Sequence, residues 1–363
     1  MVFFLFSINP ADPARMLGGQ FTDQASLEAI RAKYGLDKSV WEQYFLYLKR
    51  LSPVQMDGGI GLKAPDLGMS YSSGRPVMDI LAETIPNSLL LAVCSIGLAL
   101  ILGVVIGIVA ALNKDLWLDR LLIGLSALGM AGPSFFVGML VSWLFGFTWS
   151  QQFPLPWAFC LLLLVFGLLY SRIKKSKQKP WLYGIACLAF ILSFFVPALY
   201  IPGTQLSMSG SLYEIDPFEG PQLALSNLLL PMLTLGVRPL SVIAQLTRNS
   251  LLDILSSDYI RTAKSKGLSK ARIIWRHAIP PALNPVITAA SGWFAGMLAG
   301  AVFVEFIFGW RGLGLELFEA LQREDQPIVM GSVLFFAAFF VLVNILVDII
   351  YAWLDPRIRL KKV

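Results

Sequence analysis

The sequence predicts an all-α polytopic membrane protein. Several apolar runs exceed the roughly 18 residues that cross a bilayer as a helix. The 363-residue chain is 56% hydrophobic and only 14% charged, with a mean hydropathy of +0.68. A soluble globular protein carries far more charge than this. The runs are continuously apolar rather than alternating, which argues against a transmembrane β-barrel. The formal net charge of +6 does not point to nucleic acid, because the basic residues cluster between apolar runs. There they report orientation in the bilayer.

Met1 to Ile8 is apolar, but Val2 to Ile8 covers only about 10 Å at 1.5 Å per residue. Residues 1–8 read as the tail of a truncated first helix, with the native protein beginning upstream. A signal peptide is disfavoured, since there is no basic n-region and no small-residue cleavage site. Residues 9–84 read as an external segment. Leu27 to Leu36 predicts a helix stopped by Gly35, Val40 to Leu51 predicts a second, amphipathic helix, and Gly68 to Val77 predicts a turn leading into the membrane.

The membrane domain, 85–354, then reads span by span. Ile85 to Leu112 comes first. Leu121 to Phe147 follows, with Gly132-Pro133 predicting a kink tolerated inside a bundle. Phe153 to Tyr170 and Trp181 to Ile201 form a two-helix hairpin (153–201) around Arg172–Lys179, which is basic and has no acid. Leu223 to Leu246, Pro285 to Phe308 and Ile328 to Leu354 complete the set, and 355–363 is a basic tail. Alternating these spans puts Asn113–Arg120, Arg172–Lys179, Asp253–His277 and the C-terminus on one side. The other side holds the acidic segment Pro202–Gln222, which has no Lys or Arg, and Gly309–Pro327, where acids outnumber bases. The positive-inside rule makes the first side cytoplasmic and residues 9–84 external.

One polar stretch, within residues 253–281, stands apart. It carries Arg261, Lys264, Lys266, Lys270, Arg272 and Arg276 against Asp258. Tyr259 to Lys266 predicts two helical turns. Gly267 suits the left-handed residue that ends a helix, and Ser269 suits the cap of a second helix from Lys270 to His277. Ile260, Ala263 and Leu268 share an apolar face that Ile273 and Ile274 repeat. The competing reading is a charged linker lying on anionic headgroups.

This stretch resembles the EAA loop of ABC-transporter permeases of the dipeptide/oligopeptide/nickel importer type. Arg261, Thr262 and Ala263 stand at the Glu-Ala-Ala places, Gly267 at the glycine, His277 in place of an isoleucine, Ile279 for leucine, and Pro280 at the proline. Tyr259 to Leu268 is similar to the peptide-permease form Tyr-x-Arg-Thr-Ala-x-x-Lys-Gly-Leu. Tyr34 to Asp37, Trp41 to Tyr44, Asn9 to Ala14 and the terminus Leu354 to Arg359 resemble further family patterns. The hairpin at 153–201 departs from the family, as an insertion between its third and fourth helices.

The resemblance implies a type I importer permease bundle with an external helical segment in a bacterial inner membrane, its C-terminus cytoplasmic. It implies a second homologous permease, two ATPase subunits and an extracytoplasmic binding protein as partners. It also implies that Tyr259, Arg261, Thr262, Ala263, Gly267, Leu268, His277 and Pro280 serve coupling to the ATPase. ATP and Mg would belong to that partner. This chain has no phosphate-binding Gly-x-x-x-x-Gly-Lys-Ser/Thr loop, so it is expected to be no enzyme and to hold no cofactor of its own. Cys94, Cys160 and Cys187 have no paired spacing and His277 is the lone histidine, so no catalytic or metal site is expected. A self-sufficient secondary transporter or channel is the alternative, and would want ion-coordinating groups in broken helices.

Within the spans, Gly292, Gly296 and Gly300 make one smooth helix face, a spacing that Gly103 and Gly107 repeat, and small residues let helices approach. Arg238, Glu305 and Asp348 are charges at depth, so a translocation path or an intramembrane ion pair is expected of them. For Glu305 and Asp348 a capping carboxylate is the bland alternative. Asn344 is a weaker candidate of the same kind.

Overall fold

The computed structural model of the chain describes residues 3–4, 23–55, 61–62, 65–154, 200–216, 218 and 220–354. It is α-helical as expected, with three small two-stranded β-ladders among the described residues.

Outside the bundle, α1 spans Gln24–Tyr34 and α2 spans Val40–Leu51. Local chemistry explains both. Asp23 accepts a bond from the Ser26 amide at the start of α1, and Gly35 ends it at φ 71°. Ser39 and Glu42 form a reciprocal capping box at the start of α2. Beyond the short ladder of β1 (Val54–Gln55) with β2 (Gly61–Leu62), the turn at residues 70–75 closes through the Ser70 amide on the Arg75 carbonyl. Asp325 fixes this turn, its Oδ2 accepting from Ser70 Oγ at 2.6 Å, Ser72 Oγ at 2.8 Å and the Ser72 amide at 2.9 Å.

The bundle opens with α3, Val77–Leu112. Its 36 residues span about 54 Å at 1.5 Å per residue, so it projects well beyond a hydrocarbon core of about 30 Å. The helix starts ahead of the apolar run at Ile85 because Val77, Ile80 and Leu81 bury a face of their own against Leu313, Ala320, Ile328 and Val329.

α4 (Trp117–Ala131) and α5 (Ser134–Val141), the latter continued by a π-helical segment Ser142–Thr148, meet at an angle of 109°. Here the structure replaces the kink expected at Gly132-Pro133 within Leu121 to Phe147 by a sharp break. Gly132 is extended at ψ 130°, and Pro133 lacks the N–H that would carry the helix on. The corner is a break rather than a kink.

β3 (Gln152–Pro154) pairs antiparallel with β4 (Tyr200–Pro202). The ladder brings the two ends of the intervening segment side by side. It also shortens the expected spans at their edges, since residues 153–154 and 200–201 are strand. The remainder of those spans and Arg172–Lys179 lie outside the described residues. A second hairpin, β5 (Tyr213–Asp216) with β6 (Gly220–Leu223), leads to α6, Ser226–Ser256.

α6 is the central helix, packed along α3 and against α4, α5 and α10 (Asn284–Phe308). Glycine makes the closest approach possible. A Cβ at Gly103 would lie 2.8 Å from Ile243, and one at Gly107 would lie 2.6 Å from the Ala244 carbonyl oxygen. Between α6 and α10 run α7 (Asp258–Ser265), α8 (Lys270–Arg272), a π-helical turn Ile273–Ala278 and α9 (Ile279–Ala282). After α10 come α11 (Leu313–Gln322) and α12 (Gln326–Leu354). Among the described residues three helices are long and apolar enough to cross a membrane, or five when each bent pair counts as one span.

Candidate functional site

The segment from Asp258 to Pro280 is a folded platform. α7 ends in paired bonds, from the Gly267 amide to the Lys264 carbonyl at 3.0 Å and from the Leu268 amide to the Ala263 carbonyl at 3.4 Å. These are the two bonds of a Schellman ending, and Gly267 takes the left-handed place at φ 74°. Ser269 then caps α8, accepting from the Arg272 amide. The Gly267, Leu268 and Arg272 amides are thereby all engaged at the turn.

One side of the platform is apolar. Ile260, Ala263, Ile273, Ile274, Ala278 and Ile279 are buried together with Leu251 of α6 and Ala111 of α3, and half-buried Leu268 packs against them. The platform is thus welded to the ends of the two most closely packed helices of the bundle. Ala263 faces this inner cluster beside Ile260, Ile273 and Ile274, the shared apolar face expected from the sequence. The other side is open. Arg261, Thr262, Lys264, Lys266, Lys270, Arg272, Arg276 and Pro280 are exposed, and His277 is half-buried. Arg261 and Asp258 form a solvated pair, Nη1 to Oδ1 3.1 Å, which adds little to stability at such exposure.

Aromatic groups stand among these charges. Tyr259 is exposed and its hydroxyl donates to the His277 carbonyl at 3.2 Å, tying α7 to the π-helical turn. Trp275 is 69% exposed. Sequence reasoning passed over Trp275, although a tryptophan at the centre of a polar, basic stretch was the available signal. Trp275 and Tyr259 are thus exposed on the same segment as six basic residues; Trp, Tyr and Arg are the types enriched at protein-docking surfaces.

The charges at depth are arranged differently from expectation. Glu305 is fully buried. Its Oε1 accepts from Ser88 Oγ at 2.6 Å, and its Oε2 accepts from the Gly314 and Leu315 amides at 2.7 and 3.0 Å. It caps the start of α11 from a neighbouring helix, its carboxyl oxygens filling the place of a helix N-cap acceptor. The ion-pair and pathway expectations for Glu305 give way to this role because both oxygens are engaged. Arg238 is exposed, and its guanidinium lies 5.9 Å from the Trp293 ring centroid, a cation–π arrangement. Asp348 lies within α12, and its side chain is outside the described residues. Asn344 is exposed, its amide turned back to the Phe340 carbonyl.

The glycine face of α10 has no neighbour within this chain. Gly292, Gly296 and Gly300 are exposed, and a Cβ at any of them would meet nothing within 4 Å. Gly103 and Gly107, which repeat the spacing, pack closely against α6. An ion pair that sequence reasoning missed joins Asp119 of α4 to Arg248 of α6. No local pattern marks two residues so far apart in the chain. No cluster of His, Cys, Asp and Glu suited to a metal ion occurs among the described residues.

Residues 103–360 match the family described as binding-protein-dependent transport system inner membrane component, and residues 1–92 match the family of its N-terminal membrane component. The dipeptide transport system permease protein of Escherichia coli (strain K12) is 32% identical over 363 residues, covering 100% of this chain and 94% of that protein. The corresponding protein of Alkalihalophilus pseudofirmus is 30% identical over 359 residues, 99% and 93% of the two chains. A glutathione transport system permease protein of Pectobacterium atrosepticum is 31% identical over 361 residues, again 99% and 93%.

Proposed function

Given that the chain belongs to the binding-protein-dependent transport system inner-membrane family, and so is an ABC-type transport permease, we propose that it forms half of the membrane path of an ATP-driven importer of peptides or a similar small solute, and that residues 258–280 couple it to a separate ATPase subunit. The observation that carries the coupling role is the two-sidedness of the platform. Its apolar side is fused to the ends of α3 and α6, so force applied to it reaches the spans. Its open side presents Tyr259, Trp275 and six exposed cations, a composition suited to docking into a groove on another protein. ATP and Mg are then bound by the ATPase. Closure of that partner around nucleotide favours one of two arrangements of the spans, through its differential contact with the platform.

The platform and the C-terminus lie in the cytoplasm, in keeping with the positive-inside rule, and α1 and α2 face the external binding protein. The open glycine face of α10, with Arg238 near it on α6, is turned to the second permease and the path between the two. Arg238 is solvated there or stacked on Trp293, which offsets the several kcal/mol an arginine costs against lipid.

A self-sufficient secondary transporter makes the opposite prediction about partners. Solubilised protein, tagged at the C-terminus and captured from its own membranes, should retain an ATPase subunit at stoichiometric yield. Capture of the chain with a second permease but no ATPase, under conditions that preserve the permease pair, would favour the secondary-transporter reading.

A further inference from the structure

We propose that Asp119 and Arg248 are a positioning pair that passes movement of the platform to the broken helix pair α4–α5, an inference that rests on the coupling role given above. Arg248 Nε lies 2.6 Å from Asp119 Oδ1, and Arg248 Nη2 lies 2.7 Å from Asp119 Oδ2. The carboxylate meets the guanidinium as a fork, which fixes direction as well as distance. The two side chains are only 3% and 17% exposed for Asp119 and Arg248. Each partner is itself held. The Asp115 amide donates to Asp119 Oδ2 at 3.0 Å, and Arg248 Nη1 donates to Asn249 Oδ1 at 3.1 Å.

The placement gives the pair its role. Arg248 is one helical turn from Leu251, which is buried in the apolar cluster of the platform. α6 is unbroken from there to Ser256, so Arg248 moves with the platform. Asp119 lies in the first turn of α4. At its far end α4 breaks at 109° into α5, and α5 rests through Gly138 on Ile307 and Phe308 of α10 and Thr234 of α6. A rotation of the lower end of α6 is therefore handed to the start of α4 by a contact that resists both sliding and twisting. Buried ion pairs are weak stabilisers relative to apolar packing and serve best where register matters. A junction between two moving helices is such a place.

The test uses the complete transporter, reconstituted with its second permease, ATPase and binding protein. It measures substrate molecules imported per ATP hydrolysed, beside the affinity of the ATPase for the permease pair. Asp119→Asn removes the charge and keeps the shape, whereas Arg248→Lys keeps the charge and loses the fork. Both should bind the ATPase as the wild type does, yet import at least about fivefold less substrate per ATP, the lower end of typical coupling energies. The double reversal Asp119→Arg with Arg248→Asp should recover part of that ratio. An unchanged ratio in both single variants would overturn the proposal. So would a loss of ATPase affinity that accounts for all the lost transport, because the pair would then only hold the platform in shape. Failure of the wild type to bind the ATPase at all would overturn the coupling role itself, an outcome separable from the other two.

Discussion

Glu305 shows how a single carboxylate organises three helices. It extends from α10, accepts from Ser88 of α3 and holds the first amides of α11. Its replacement by alanine strands the buried Ser88 and Gly314 donors, each costing about 1–3 kcal/mol when left unmade, and the half-buried Leu315 amide. The expected outcome is a Tm in detergent lowered by several degrees or loss of the folded protein. Glu305→Gln, which keeps an acceptor in place, should lie between that and the wild type. Equal melting of all three would show the bonds to be dispensable. The sequence marked Glu305 as a charge at depth but not its purpose, because Ser88 is 217 residues away along the chain. Gly267, Ser269 and the stop at Gly35 were legible for the opposite reason. Caps satisfy backbone groups within a few residues of themselves, so their chemistry is written locally.

Between elements, two glycine-bearing faces with the same spacing do different work. Gly103 and Gly107 of α3 lie against α6, where the Ala244 carbonyl oxygen, part of the backbone, cannot move aside. The face of α10 bearing Gly292, Gly296 and Gly300 is open. Gly107→Val should therefore prevent the bundle from packing and reduce the yield of folded protein severalfold or more. Gly296→Val should leave the single chain folded, as judged by size-exclusion and thermal melting, and weaken its pairing with the second permease. The reverse pattern would mean that the α3–α6 seam is the looser contact. Spacing alone could not separate these faces, since both satisfy the small-residue pattern. The corner at Gly132-Pro133 shows the same limit. Proline announced a disturbance, but whether it bends or breaks the helix depends on what packs beyond it, and α5 has Gly138 to seat it on α10.

Across the whole molecule, charge distribution and platform geometry point the same way. The basic platform lies at the end of the bundle where α6 finishes, and the Ser70–Arg75 turn lies at the other, pinned by Asp325. Two single cysteines on a background lacking Cys94, Cys160 and Cys187 test this orientation. Ser73→Cys should react with an impermeant thiol reagent in spheroplasts, and Ser265→Cys only after lysis, as both positions are exposed. Labelling in the opposite sense would invert the topology. Helical class and platform were readable from composition and caps. The pair Asp119–Arg248 and the Glu305 cage were not, because they exist only once distant helices meet.

The most direct test of the coupling role is titration of the purified ATPase onto the permease pair in lipid nanodiscs, with Gly267 as the variable. At φ 74° and with nothing within 4 Å of where a Cβ would stand, a substitution there meets no steric neighbour and strains the backbone alone. A β-branched residue in that conformation costs about 1 kcal/mol or more, whereas asparagine tolerates it. Gly267→Val should bind the ATPase several-fold more weakly and lose substrate-stimulated hydrolysis, with the permease pair intact. Gly267→Asn should bind nearly as the wild type does. Wild-type affinity and transport in Gly267→Val would contradict the claim that this platform is the coupling element.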